Sequence, residues 1–222
     1  MINVTCITEQ LGDGLVESLP AYHAFTGSDF TAAFARQGKI KPFEIILKNH
    51  EYQKSFSHLG ESLSVRNVDI VWIEKFVCAM YGTAGSSSLS DVRYSLFMKK
   101  TIPKCQSKTL FKVKGIDPTM LPPSKPALLQ KIKRTNAIAW LWKRAVCQNP
   151  SDGFDPCDHG WYLESDTYHI HWYDGPTLPE DLEPTTEKDS DTEDEDSDLY
   201  SDESDIFSYD SSSDESCEEK DQ

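Results

Sequence analysis

Gly27-Ser28-Asp29, followed nine residues later by Gly38 with Lys39 and Lys41 beside it, combines the residue types that a phosphate contact needs. A glycine turn lets backbone amides approach an anion, because no Cβ intervenes and a positive φ is allowed. The two lysines would neutralise the phosphate. Asp29, just past a helix end, is a hard oxygen ligand of the kind Mg²⁺ takes, and the competing expectation is a plain helix C-cap followed by an N-cap. Farther along, Lys131, Arg134, Lys143 and Arg144 fall off the centre of a helical apolar stripe. There they would act as outer phosphate contacts through counterion release, with little base specificity. Trp140 and Trp142 offer rings for base stacking. Two apart on a helix, they do not share a face, which assigns Trp142 to the core and Trp140 to the surface. Cys157-x-His159 and His169-x-His171 form two pairs of the ligand types that suit Zn²⁺, against the expectation of ordinary surface histidines on a strand.

The chain of 222 residues has a formal net charge of −15, an average that describes neither of its halves. Residues 179–222 hold 20 acids against Lys188 and Lys220, a net of −18. Residues 1–178 are left at +3, and the stretch from Arg36 to Arg144 alone carries +13. A basic body beside an acidic tail points to nucleic acid or to a charged partner. The tail is too poor in apolar groups to fold, and the composition predicts disorder there. Within it Ser190, Thr192, Ser211, Ser212 and Ser216 each have an acid three residues on, the pattern of acid-directed kinases. The six cysteines form no CxxC pair, so free thiols in a reducing compartment are expected. The N-terminal residues lack the charged and apolar regions of a signal peptide, and no apolar run is long enough to span a bilayer. An intracellular, nuclear location, with no membrane and no small-molecule substrate, is the expectation.

The elements that would position these residues are mostly helices. Ile2–Cys6 reads as a short strand and Ile7–Leu11 as a helix, broken by Gly12-Asp13-Gly14. A second helix runs over Gly14–Phe25 with Pro20 early in it. Phe30–Ala35 reads as one helical turn, and Pro42–Lys48 and Glu51–His58 as two short helices. Val68–Tyr81 is amphipathic, with Val68, Val71, Trp72, Phe76 and Met80 or Tyr81 on one face. Ser90 would cap a helix through Lys100 that turns Val92, Leu96 and Phe97 inward. Lys99–Pro123 reads as an extended crossing. Ser124 would cap a long helix, Lys125–Cys147, with Leu128, Leu129, Ile132, Ala139, Trp142 and Val146 as its stripe. Trp161–Glu164 and Tyr168–Tyr173 alternate around Ser165-Asp166-Thr167 as a β-hairpin. The expected organisation is residues 1–60 as a helix–turn–helix segment, 61–148 as a helical body, 149–178 as loop and hairpin, and 179–222 as tail.

Leu11-Gly12, the helix to Phe25, Gly27-Ser28-Asp29-Phe30, and Gly38 followed by Lys39-Ile40-Lys41 resemble the helix–three-turn–helix of the flap-endonuclease family, structure-specific 5′ nucleases with a PIN-like core. The resemblance covers about a quarter of the chain. It implies a grip on the phosphate backbone of duplex DNA by backbone amides and lysines. It also implies that Asp29 matches the last of a carboxylate cluster holding two metal ions. Arg36 stands where the family has its first turn glycine, and Lys39 where it has proline. The family's other metal carboxylates lie upstream of this motif, so Asp29 is expected to be a vestige here, with Mg²⁺ held only if a missing half is supplied. Over LPAYHAFTGSDFTAAF, KGIDPTMLPPSKPALLQKIKRTN, HGWYL and WYDGP the chain also resembles a transposon-derived group of animal proteins, of which it would be a C-terminal part.

The expected function is non-catalytic binding of the duplex DNA backbone. Two rivals stand beside it: a histone-chaperone-like module whose acidic tail binds basic proteins, and a metal nuclease completed by the missing half.

Overall fold

The computed structural model describes residues 3–86, 88–101 and 117–175. Among them are seven α-helices and one two-stranded antiparallel sheet, so the chain is mainly α with a small hairpin. The helices are α1 Val4–Leu11, α2 Asp13–Thr26, α3 Ile40–Leu47, α4 His50–His58, α5 Asn67–Met80, α6 Leu89–Thr101 and α7 Lys125–Lys143. The strands are β1 Trp161–Glu164 and β2 Thr167–Ile170.

Local signals set most boundaries. Asn49 Oδ1 caps α4 by accepting from the Glu51 and Tyr52 amides at 2.9 and 3.3 Å. Ser124 caps α7, with Pro126 in the first turn where its missing N–H costs little. Ser165 and Asp166 both have positive φ, 48° and 62°, the two left-handed positions of a type I′ turn. That turn sets the register Trp161↔Ile170, Tyr162↔His169, Leu163↔Tyr168 and Glu164↔Thr167.

Several expectations are corrected. The N-terminal segment is helical from Val4, since Asn3 caps it through the Cys6 amide and no strand lies beside it among the described residues. Pro20 lies in the middle of α2, because the helix begins already at Asp13. Its lost hydrogen bond is offset by the burial of Leu15, Ala21, Tyr22 and Phe25 on the same helix. Residues 30–35 form no helical turn, because Ser28 and Thr31 pair with each other instead and Thr31 Oγ1 donates to the Ala24 carbonyl. On α5, Val68 and Val71 are exposed and the inward face runs through Ile73, Phe76, Val77 and Met80. Ser88 rather than Ser90 caps α6, and Phe97 on that helix is exposed.

The core is built on a cluster of phenylalanines from three helices. Phe56 of α4 meets Phe25 of α2 at 5.4 Å and Phe76 of α5 at 5.1 Å, with edge-to-face geometry in both pairs. α7 closes this core with Leu128, Ile132 and Ala139. Residues 1–60 and 61–148 therefore share one core. Gly60, at φ 83°, lets the chain after α4 touch α7, since a Cβ there would sit 2.6 Å from the Ala139 carbonyl carbon. Asn136 of α7 holds this crossing: it accepts from the Gly60 amide at 2.8 Å and donates to the Ser62 and Leu63 carbonyls. Among the described residues no helix is long and apolar enough to cross a membrane, and Cys6, Cys78, Cys147 and Cys157 are free thiols. The chain divides into two units after Leu178. The second unit, with the expected disorder and the five phosphorylation candidates, lies outside the described residues, as does most of the Lys99–Pro123 crossing.

Candidate nucleic-acid interface

The loop between α2 and α3 is held closed from beneath. Gly27, at φ 116°, packs so tightly on Ala33 that an added Cβ would lie 2.7 Å from the alanine Cβ. Lys39 Nζ reaches back across the loop and donates to the Gly27 carbonyl at 2.6 Å and to His23 Nδ1 at 2.7 Å. An ammonium has no acceptor, so Lys39 is the donor in this pair. The Lys39 carbonyl accepts from the Tyr22 hydroxyl at 2.5 Å. Burial pushes that phenol up to about 12, opposed by its bond with Thr26, so Tyr22 stays a donor. Lys41 stands exposed on the first turn of α3.

The backbone differs from the glycine turn expected at residue 38. The left-handed position is Arg36, at φ 56°, whereas Gly38 has no positive φ and an added Cβ there would meet nothing. Arg36 also pairs with Asp117 at 3.5 Å.

Beyond Lys39 the basic surface continues onto α7. His23 stacks on Trp142 with ring centroids 5.7 Å apart, and Lys143 follows Trp142 and donates to the Ser57 carbonyl at 2.5 Å. Burial holds the Lys143 ammonium below its ordinary value, opposed by Glu61 and Glu17. Arg144 lies over the Trp140 ring at 4.4 Å and donates from Nε to the Pro150 carbonyl at 3.3 Å. Lys39, His23 and Trp142 are thus linked by contact, which joins the α2–α3 loop to the end of α7. The sequence reading missed His23, whose signal was its place one turn before the helix-ending Gly27.

Lys131 and Arg134 are not outer contacts. They are only 9% and 3% exposed. Lys131 donates to the Ala32 carbonyl and sits over the Phe34 ring at 4.5 Å. Arg134 donates to the Gly160 and His171 carbonyls at 3.0 and 2.6 Å, tying the hairpin to α7. Burial pulls its guanidinium down to about 10, which leaves it charged at neutral pH. The tryptophan assignment is also reversed. Trp140 is buried against Phe154, while Trp142 is half-buried under His23, and Val146 is exposed. The common cause is that α7 is covered on both sides, by the helical core and by the 150–175 segment, so no single stripe defines its inside.

Asp29 lies exposed at the tip of the loop. With Phe30, Trp142, Phe154, Trp161 and Tyr168 it lines a groove of about 560 Å³. Among the described residues no three His, Cys, Asp or Glu side chains gather as a metal site. A lone carboxylate does not fit the two-ion chemistry that the nuclease resemblance implies. Nor does the structure gather Cys157, His159, His169 and His171 into one group among the described residues. His159 is buried and stacks face to face on Phe154 at 5.4 Å, whereas His169 and His171 lie around Tyr162 on the hairpin. Burial lowers the His159 pKa and favours the neutral ring. Cys157 is exposed, with its amide bonded to Asp155.

No family model, curated protein or solved structure matches the chain.

Proposed function

We propose that the chain is a non-catalytic nucleic-acid-binding protein, a remnant of a flap-endonuclease-like, mobile-element-derived protein acting in the nucleus. It grips the phosphate backbone of duplex DNA through Lys39, Lys41, Lys143 and Arg144. The observation that carries this reading is the contact chain from Lys39 through His23 to Trp142, which brings two basic segments distant in sequence together. Each lysine that neutralises one phosphate releases its counterions. Lys39 is pre-ordered by Gly27 and His23, so it loses little side-chain freedom on binding.

Fluorescence anisotropy with a labelled DNA duplex tests the reading. The double variant Lys41→Glu/Lys143→Glu is expected to reduce the salt slope of log K by about two. Lys75→Glu, on α5 where its ammonium lies over Trp72, serves as the charge control and is expected to leave the slope nearly unchanged. Equal losses in both variants would reduce the effect to net charge and sink the interface. Absence of duplex binding together with capture of core histones by residues 179–222 would transfer the function to the acidic segment.

A further inference from the structure

The two buried cations of α7 create a demand that the described fold does not meet. Lys131 and Arg134 line one cavity of about 250 Å³, whose other walls include Phe34, Tyr81, Leu121 and Trp172. Their observed hydrogen bonds all go to carbonyl oxygens of the backbone. Among the described residues neither has a carboxylate within ion-pair distance, although Arg36, Arg66 and Lys125 each do. A lysine carries three donors and a guanidinium five, so both have donors beyond the bonds seen. Buried charges in proteins are ordinarily paired, and a buried cation without its anion is costly.

We propose that this cavity is a binding site for a small organic carboxylate with an apolar body. The carboxylate would lie between Lys131 Nζ and the Arg134 guanidinium, whose fork matches its two oxygens. The apolar body would pack against Phe34, Leu121 and Trp172. The volume is below the roughly 300–1,000 Å³ of drug-sized sites, so the occupant is one ring or a short chain rather than a nucleotide. Burial, reinforced by the charge of Arg134, pulls the Lys131 ammonium down to about 7, and no acid opposes this. An incoming anion supplies the missing opposite charge. The site is independent of the nucleic-acid reading, because none of His23, Lys39, Lys41 and Lys143 lines this cavity.

Isothermal titration calorimetry of the full chain tests the site with phenylacetate against phenylacetamide, a neutral analogue of nearly the same shape. Phenylacetate is expected to bind about tenfold more tightly or better, since a hydrogen bond to a charged group is at stake. Lys131→Met keeps the stem and removes the charge. It is expected to abolish the preference for the acid, while a thermal melt no lower than that of the parent shows the variant folded. Trp172→Ala, which trims an exposed wall, is expected to weaken acid and amide alike. N-acetylphenylalanine and its amide form a second pair: preference for that acid would identify a peptide C-terminus as the source, and preference for phenylacetate a free metabolite. Equal affinity for acid and amide in both pairs, or unchanged phenylacetate binding in Lys131→Met, overturns the proposal. So does inorganic phosphate binding as tightly as phenylacetate, because the apolar walls would then contribute nothing.

Discussion

Lys131 shows how the same residue type changes its role with its surroundings. On an exposed face a lysine is a phosphate contact. Beneath Phe34 it is a cation held at a cost, with an amine pulled from its ordinary 10.5 to about 7 by burial and by Arg134. Between those two values the unfolded chain binds a proton that the folded chain does not. Stability therefore rises with pH across about 7 to 10.5 and is lower by the full amount below that window. Lys131→Met removes the titrating group. It is expected to stabilise the fold by about 1–4 kcal/mol at neutral pH and to flatten the pH dependence between 7 and 10.5. Urea denaturation at pH 6, 8 and 10 reads both effects; an unchanged slope would mean that Lys131 is solvated in the folded state.

At the scale of elements, the crossing of the α4–α5 connection over α7 is the joint on which the core closes. Gly60 and Asn136 meet there, and a Cβ at residue 60 collides with backbone rather than with a movable side chain. Gly60→Ala is expected to cost roughly 1–3 kcal/mol from strain and overpacking together. Asn136→Ala strips partners from one amide and two carbonyls and is expected to cost about 1–3 kcal/mol. Gly38→Ala is the contrast, near neutral because its φ is ordinary and the space beside it is open. Chemical denaturation of the three variants orders these effects, and a Gly38 variant as unstable as Gly60→Ala would contradict the loop geometry. A second joint sits at Glu74, which accepts from the Leu89 amide at 3.1 Å and pairs with Lys125 at 3.2 Å. It thereby binds the starts of α6 and α7 to α5.

For the whole molecule, charge is distributed so unevenly that the total misleads. The acidic segment 179–222 contributes −18, and its removal leaves residues 1–178 at +3. A strongly negative segment lowers the local attraction for a polyanion and competes for the same cations. Deletion of residues 179–222 is expected to strengthen binding to duplex DNA at low salt, with the gain shrinking as salt screens the field. Anisotropy at low and moderate ionic strength measures this. Identical affinities for the two chains at low salt would remove the acidic segment from the binding account.

The sequence alone determined the mainly helical class, the hairpin, most helix ends and the charge division. These are written locally. Asn49 and Ser124 cap helices through atoms two or three residues away, and Ser165-Asp166 makes its turn within its own backbone. The link from Lys39 through His23 to Trp142 was half legible: its lysine and tryptophan were visible, but the histidine between them was not. Only tertiary structure decided which cations of α7 face water and which tryptophan is buried. Periodicity assumes a helix with one wet side, yet α7 meets the helical core on one flank and the hairpin on the other. Arg134 is buried because the Gly160 and His171 carbonyls, dozens of residues later, arrive to accept its hydrogen bonds. No pattern within the helix itself can announce partners that distant, because burial is a property of the packed chain and not of the segment.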